Sequence, residues 1–178
     1  VNNKDSSSNN GCGGAAIHST NCTLDIVNSK FINNSADYYG GTIYVSQSNI
    51  TSIHSQFVNN FAKNNGGETK GGVIYASNSN ITSIDSQFIN SFASKYGGAI
   101  YAVESTNITS IDSKFINNSD SSGGGAIYAS KGNIKINNST FVNNTDSSSS
   151  GGAVIYSNSV TLDIINSKFI NNSANYYG

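Results

Sequence analysis

Apolar and polar positions along the chain fall into columns that return at regular spacing, seen most plainly in residues 108–119, Ile-Thr-Ser-Ile-Asp-Ser-Lys-Phe-Ile-Asn-Asn-Ser. Aligned on the phenylalanine, the copies centre on Phe31, Phe57, Phe88, Phe115, Phe141 and Phe169, at intervals of 26, 31, 27, 26 and 28 residues. An aliphatic residue stands seven positions before each of them: Leu24, Ile50, Ile81, Ile108, Ile134 and Leu162. Serine stands two before (Ser29, Ser55, Ser86, Ser113, Ser139, Ser167) and asparagine two after (Asn33, Asn59, Asn90, Asn117, Asn143, Asn171). A period in the twenties marks a solenoid, in which each repeat is one supersecondary unit that buries its apolar face only by stacking on the next.

The elements within a unit are strands. Ile, Val, Tyr and Phe fill the fixed columns, whereas the chain has only two leucines and no methionine, so the apolar set is that of pleated sheet. Three short strands fit each unit: one after a glycine pair, as in Gly97-Gly98-Ala99-Ile100-Tyr101, one around the aliphatic column, and one through the phenylalanine. Glycine pairs supply the positive φ or crowded backbone of a sharp corner. The segment between the asparagine column and the glycines varies in length, longest over residues 61–70, as a surface loop does. With Phe inward, alternation places the serine column inward, together with the aliphatic residues four before Phe (Val27, Ile53, Ile84, Ile111, Ile165). Parity then fails before the column at minus seven, and a corner is expected there. Asn137 interrupts the apolar column at minus four, with Ile136 expected to replace it by a one-residue shift. The asparagines two after Phe are expected to point inward at a further corner and hydrogen-bond one another as a ladder. The architecture this predicts is all-β, a parallel β-helix of about six coils occupying residues 1–178 as one segment.

Composition changes this picture little. The charged fraction is 11%, the net charge −1, and all nine basic residues are lysine, so no field for nucleic acid is expected. Serine, asparagine and glycine in this abundance would suggest disorder on composition alone, and the periodicity overrules it. No apolar run is long enough for a transmembrane helix.

Residues 161–178 repeat residues 23–40 with two substitutions, at an offset of 138. A longer repeat of five units is therefore nested over the short one, and the chain is expected to be part of a longer tandem array, continued end to end by further copies or by stacked subunits. Cys12 and Cys22 fall in one unit and have no counterparts elsewhere; a disulfide stapling that unit and a pair of free thiols both fit. Among the Asn-x-Ser/Thr sequons, Asn49, Asn80 and Asn107 stand just before a strand and are the expected glycan acceptors, the sequons at Asn33, Asn117, Asn143 and Asn171 being set aside with the inward ladder.

The paired signatures Gly-Gly-Ala-Ile and Phe-x-x-Asn resemble the repeats of chlamydial-type polymorphic membrane proteins, and their Asn/Ser-rich setting is similar to adhesin-like surface proteins of methanogenic archaea. Phe-Ile-Asn-Asn stands at 31–34, 115–118 and 169–172, Phe-Val-Asn-Asn at 57–60 and 141–144, and the copy at 88–91 departs at Ser91. The resemblance implies a right-handed β-helix on the outside of a cell, serving adhesion or as a stalk, with no catalytic residue, metal or cofactor.

Because the matching residues build the coil, function is sought in outward columns. His18, Tyr44, Tyr75, Tyr101, Tyr128 and Tyr156 follow the inner aliphatic residue and form an aromatic column, either a strip for sugar faces or another protein or a set of cross-strand pairs that steady the sheet. Ile32, Val58, Ile89, Ile116, Val142 and Ile170 follow Phe and either turn inward or dock on a neighbour. Asp85 and Asp112 fall in one column on consecutive units, the arrangement that glycoside hydrolases use, but without an arginine or a cleft-forming insertion beside them. An adhesive surface fibre is the reading favoured over a carbohydrate-binding module or a polysaccharide-cleaving enzyme. Expected partners are copies of the chain, surface glycans or other cells.

Overall fold

The computed structural model describes residues 3–6, 13–63, 67–149 and 151–175, and shows an all-β solenoid of about six turns in which every ladder is parallel. Four of the coils carry four strand segments rather than three. In the coil that contains Phe88 these are Ile74–Ser77, Asn80–Ile84, Gln87–Ile89 and the two-residue Phe92–Ala93. The segments gather into three sheets, because in two coils the first two fuse into single strands, Ile127–Asn137 and Ile155–Ile165, which join the tyrosine and aliphatic ladders into one ten-stranded sheet. The phenylalanine strands form a six-stranded sheet and the short strands a seven-stranded one. Register never slips: Phe57, Phe88 and Phe115 are Cα partners, as are Ile50, Ile81 and Ile108, although the coils differ in length by up to five residues.

Inside the bore, Phe57, Phe88, Phe115 and Phe141 are fully buried and stack at ring-centroid distances of 4.7 to 4.9 Å. Phe31 and Phe169 extend the stack at 5.1 and 5.0 Å from the outermost coils, where Phe31 is half-buried and Phe169 exposed. Ile50, Ile81, Ile108 and Ile134 are buried beside them. The core is thus a set of one-residue columns running along the axis.

Two inward assignments need correction, and one cause explains both. The aliphatic residues four before Phe face outward: Val27 is 50% exposed and Ile53, Ile84 and Ile111 are half-buried. The residues just before them, Ile26, Ser52, Ser83, Ser110 and Ile136, are the buried ones. Likewise Asn33, Asn90, Asn117, Asn143 and Asn171 are exposed and Asn59 half-buried, whereas Asn34, Asn60, Asn118 and Asn144 are buried. In both places a residue in the left-handed region stands between the strands. Asn28, His54, Asp85, Asp112, Asn138 and Asn166 have φ between 44° and 51°, and the asparagines two after Phe have φ between 51° and 56°. A left-handed residue is a corner, and carrying period-two alternation through it inverts the face. Ile136 makes no compensating shift either, since it pairs in regular register with Ser110 while Asn137 pairs with outward Ile111.

At most left-handed corners the next residue points into the bore and holds the corner shut; Lys131 and Ser159, followed by Gly132 and Val160, lie inside the two fused strands instead. Ser55, Ser86, Ser113 and Ser139 each donate to the carbonyl two residues earlier, at 2.9 to 3.1 Å. Each also accepts the backbone N–H of the corresponding serine in the preceding coil, at 3.1 to 3.2 Å. Asn118 does more: its Oδ1 accepts the N–H of Ser91, and its Nδ2 donates to Phe88 O and Asn144 Oδ1. Asn144 repeats the pattern toward Asn172, and Asn34 toward Asn60. A third corner uses Asn21, Gln47, Asn78 and Ser105 as its left-handed residues, followed by Cys22, Ser48, Ser79 and Thr106. Cys22 therefore sits in a serine column.

The fourth corner is the glycine pair, and its members answer different constraints. The first has positive φ (Gly71 at 70°, Gly97 at 67°). The second is crowded: a Cβ on Gly98 would lie 2.1 Å from Gly125 O, a contact that no side chain survives.

Stability should follow these assignments. Phe115→Ala is expected to cost about 3–5 kcal/mol, whereas Lys114→Ala, on the outer face, should cost almost nothing; urea unfolding midpoints measure both. At the asparagine corner, Asn118→Ala should destabilise by roughly 1–3 kcal/mol because it leaves buried backbone groups unpaired, while Asn117→Gly keeps the positive φ and should leave the midpoint close to that of the parent. The reverse order in the same measurement would restore the original inward assignment.

Candidate functional site

The outward tyrosines form the most distinctive surface of the solenoid. Each follows an isoleucine that lines or packs against the core, so strict register brings His18, Tyr44, Tyr75, Tyr101, Tyr128 and Tyr156 into one file. Successive ring centroids are 4.5, 5.0, 5.3, 4.8 and 5.1 Å apart, with interplanar angles from 2° to 21°. Stacked along the axis, the rings turn their faces toward one another. The faces are thus engaged with one another, as in cross-strand pairs that steady the sheet.

A second row covers part of the file. The residue before each glycine pair joins a chain of parallel bridges through Gly13, Tyr39, Lys70, Tyr96 and Gly123. Tyr39 lies 4.8 Å from Tyr75 and Tyr96 4.9 Å from Tyr128, both tilted. Lys70 stands between them, its Nζ 5.7, 5.9 and 5.4 Å from the Tyr39, Tyr96 and Tyr101 ring centroids, with Glu68 at 3.2 Å. Tyr101 is only 8% exposed as a result. Burial, followed by the neighbouring Tyr44, Tyr39 and Glu104, pushes the Tyr75 phenol up to about 12. Burial and then Tyr128 and Tyr75 raise Tyr101 as well. Sequence reasoning missed this row, although its signal is simple: an aromatic or lysine immediately before the glycine pair.

The left-handed corner before the serine column carries the charged ladder. His54 Nδ1 lies 2.8 Å from Asp85 Oδ2, and Asn138 Nδ2 donates to Asp112 Oδ1. Asp85 and Asp112 are exposed, each engaged by a neighbour in its own column. Among the described residues no three His, Cys, Asp or Glu side chains gather as a metal-binding group.

Amide ladders run along two other outward columns. Asn80 donates to Asn49, Asn107 to Asn80 and Asn133 to Asn107, at 2.8 to 2.9 Å. Asn90 donates to Asn59 and Asn117 to Asn90, at 3.2 and 3.0 Å. The asparagines two after Phe thus do form a ladder, on the surface rather than in the bore. The sequons at Asn33, Asn117 and Asn143 accordingly stand in the open, together with those at Asn49 and Asn80. The β-branched residues after Phe face outward, half-buried from Ile32 to Val142 and 43% exposed at Ile170.

Cys22 carries a free thiol against the Ser19 hydroxyl; Cys12, the other half of the expected pair, lies outside the described residues. Asp120 and Asp146 were also passed over. They occupy the column five after Phe that is alanine at Ala36, Ala62, Ala93 and Ala174, and both are 2% exposed.

Two segments, residues 28–46 and 112–130, match the Chlamydia polymorphic membrane protein repeat. Each runs from a left-handed corner through the phenylalanine strand and the glycine pair to the next tyrosine strand, so the chain carries repeats similar to those of that family, and the likeness resides in the coil-building positions. No curated protein and no solved structure matches the chain.

Tyrosine ionisation reports the packing of the file. In the unfolded chain phenols titrate near their ordinary value of about 10, whereas in the solenoid Tyr75 and Tyr101 hold their protons to higher pH. Their contribution to stability is therefore full below the unfolded value and lost as pH rises through the folded ones. Absorbance at the phenolate band is expected to rise in two stages, the later one coinciding with unfolding, and Tyr101→Phe should shrink that stage. A single transition near the value for free tyrosine would contradict the packing.

Proposed function

We propose that this chain is a structural and adhesive segment of an extracellular cell-surface fibre, in the manner of adhesin-like repeat proteins. The observation that carries the reading is the unbroken register. Serine, asparagine, glycine and phenylalanine columns are all consumed in joining one coil to the next, so what recurs in the sequence is spent on building length and stiffness. Similarity to the Chlamydia polymorphic membrane protein repeat supports a place at the outer surface.

The near-identity of residues 161–175 with residues 23–37, five coils apart, fits a rod lengthened by tandem copies. The outer face is suited to contact rather than chemistry: amide ladders, half-buried aliphatic columns and phenol edges repeat at the coil spacing. The reading gives Asp85 and Asp112 no catalytic role, because each is bonded within an exposed ladder.

Electron microscopy of the native material should show rods with an axial repeat of about five coils, roughly 24 Å at the usual strand spacing, and protease treatment of intact cells should remove the segment. Compact particles, or a segment protected until cells are lysed, would count against the proposal. Cleavage of polysaccharides that is lost with Asp112→Asn would replace it with an enzymatic one.

A further inference from the structure

Where four coils place alanine in the short-strand column, two consecutive coils place aspartate, as the first described strand does at Asp5. Asp120 and Asp146 are Cα partners on Ser119–Asp120 and Thr145–Asp146, strands that neighbour one another at the ordinary spacing of about 4.8 Å. Both side chains are buried. Two carboxylates so close and so dry cannot both be ionised without a large cost, and they are not equivalently placed. Asp146 has donors for both oxygens: Ser148 N–H to Oδ1 and Ser148 Oγ–H to Oδ2, each at 2.8 Å. Asp120 accepts at Oδ2 from Gly123 N–H at 2.6 Å and from Ser122 N–H at 3.4 Å, while its buried Oδ1 has no hydrogen-bond partner. Asp146 is thus furnished as a carboxylate, and Asp120 has an oxygen with a use for a proton of its own.

We propose that Asp120 and Asp146 share one proton, carried on Asp120 Oδ1 and donated to the Asp146 carboxylate, and that this hydrogen bond is a pH-responsive clasp between two consecutive coils. The surroundings fit a sealed pair. A Cβ at Gly151 would lie 2.0 Å from Asp146 Oδ2 and 2.5 Å from Gly123 Cα, so Gly151 closes directly against Asp146 and against the glycine that donates to Asp120. The flanking column positions are Ala93 and Ala174, the described residues of loops 121–126 and 147–153 are serine, glycine, alanine or apolar, and the Tyr156 ring lies beside Gly123. Among the described residues the charge that acts on Asp120 is that of Asp146, and no lysine or histidine contributes. Burial first and then the Asp146 charge push Asp120 up to about 8, against the pull of the Gly123 and Ser122 N–H groups.

The sign of the pH dependence follows. Unfolded Asp120 releases its proton near 3.8 and folded Asp120 near 8, so the folded state binds the additional proton between those limits. Stability from the clasp is full below the unfolded value and is lost as pH rises through the folded one.

The test compares the whole chain with its Asp120→Asn variant, whose amide supplies the donor permanently. Urea unfolding of the parent should show a folding equilibrium constant that falls by up to about tenfold per pH unit between about pH 5 and pH 8. The variant should lack that component, with any slope from His18 and His54 common to both. Carbon NMR of the parent labelled at its aspartate carboxyls provides a readout that does not need the variant to fold: one carboxyl should titrate near neutrality or above. Equal pH slopes for parent and variant, or aspartates that all titrate in the ordinary acidic range, would overturn the proposal. So would a rise in the parent's midpoint with millimolar calcium chloride at alkaline pH that the variant lacks, since a cation rather than a proton would then join the pair.

Discussion

Everything in this solenoid depends on a two-residue corner: a residue with positive φ followed by a short polar side chain that turns into the bore. The first residue changes the direction of the chain in one step, and the second satisfies the carbonyl behind it and the N–H of the coil before it. Three corners of a coil are made this way, closed by Ser79, Ser86 or Asn118 and their equivalents, except in the two coils where Gly132 and Val160 stand inside a fused strand and two corners are. Without that second residue a corner at the core would bury unpaired backbone groups, each at a cost of about 1–3 kcal/mol, and the cost would recur in every coil. The polar columns in the bore are therefore the condition on which the apolar ones can stack.

That device also explains what could be read in the sequence and what could not. The fold was legible because phenylalanine and the column seven before it share a register through every coil, and one buried position per strand is enough to infer stacking. Facing was legible only up to the nearest corner. Asn33 and Asn117 looked like core because asparagine is a ladder residue, but asparagine is also the ordinary side chain that best tolerates positive φ, and Asp85, His54 and Gln47 do the same duty elsewhere. A column occupied by Asn, His and Asp in turn is a conformational signal rather than a hydrogen-bonding one. Read so, it predicts that the following serine or asparagine points inward, and both misplaced columns fall into line.

The surface was less legible for a different reason. Alternation says which residues point out, but not how rings at neighbouring coils orient toward one another. The tyrosine file was visible in the sequence, whereas its consumption in ring-on-ring stacking, and its cover by Tyr39, Lys70 and Tyr96, depend on how close a 4.5 to 5.3 Å spacing brings the rings. The buried Asp120 and Asp146 pair escaped notice because a charged residue followed by two serines in a loop-like setting reads as solvated. Its place in the alanine column is evident only once the corner after Phe is counted correctly.

The parallel ladders have a mechanical consequence. All of the coil-to-coil hydrogen bonds point along the axis of the rod, so a pull between its two ends loads them in series rather than together. Coils then part from one another singly, and the tension needed is that for one interface, however long the rod. Each coil that lets go pays out a tether of 26 to 31 residues, which at roughly 3.4 Å per residue is about 90–105 Å of slack from a disc less than about 5 Å thick. A solenoid built on this plan yields by unreeling, one coil at a time.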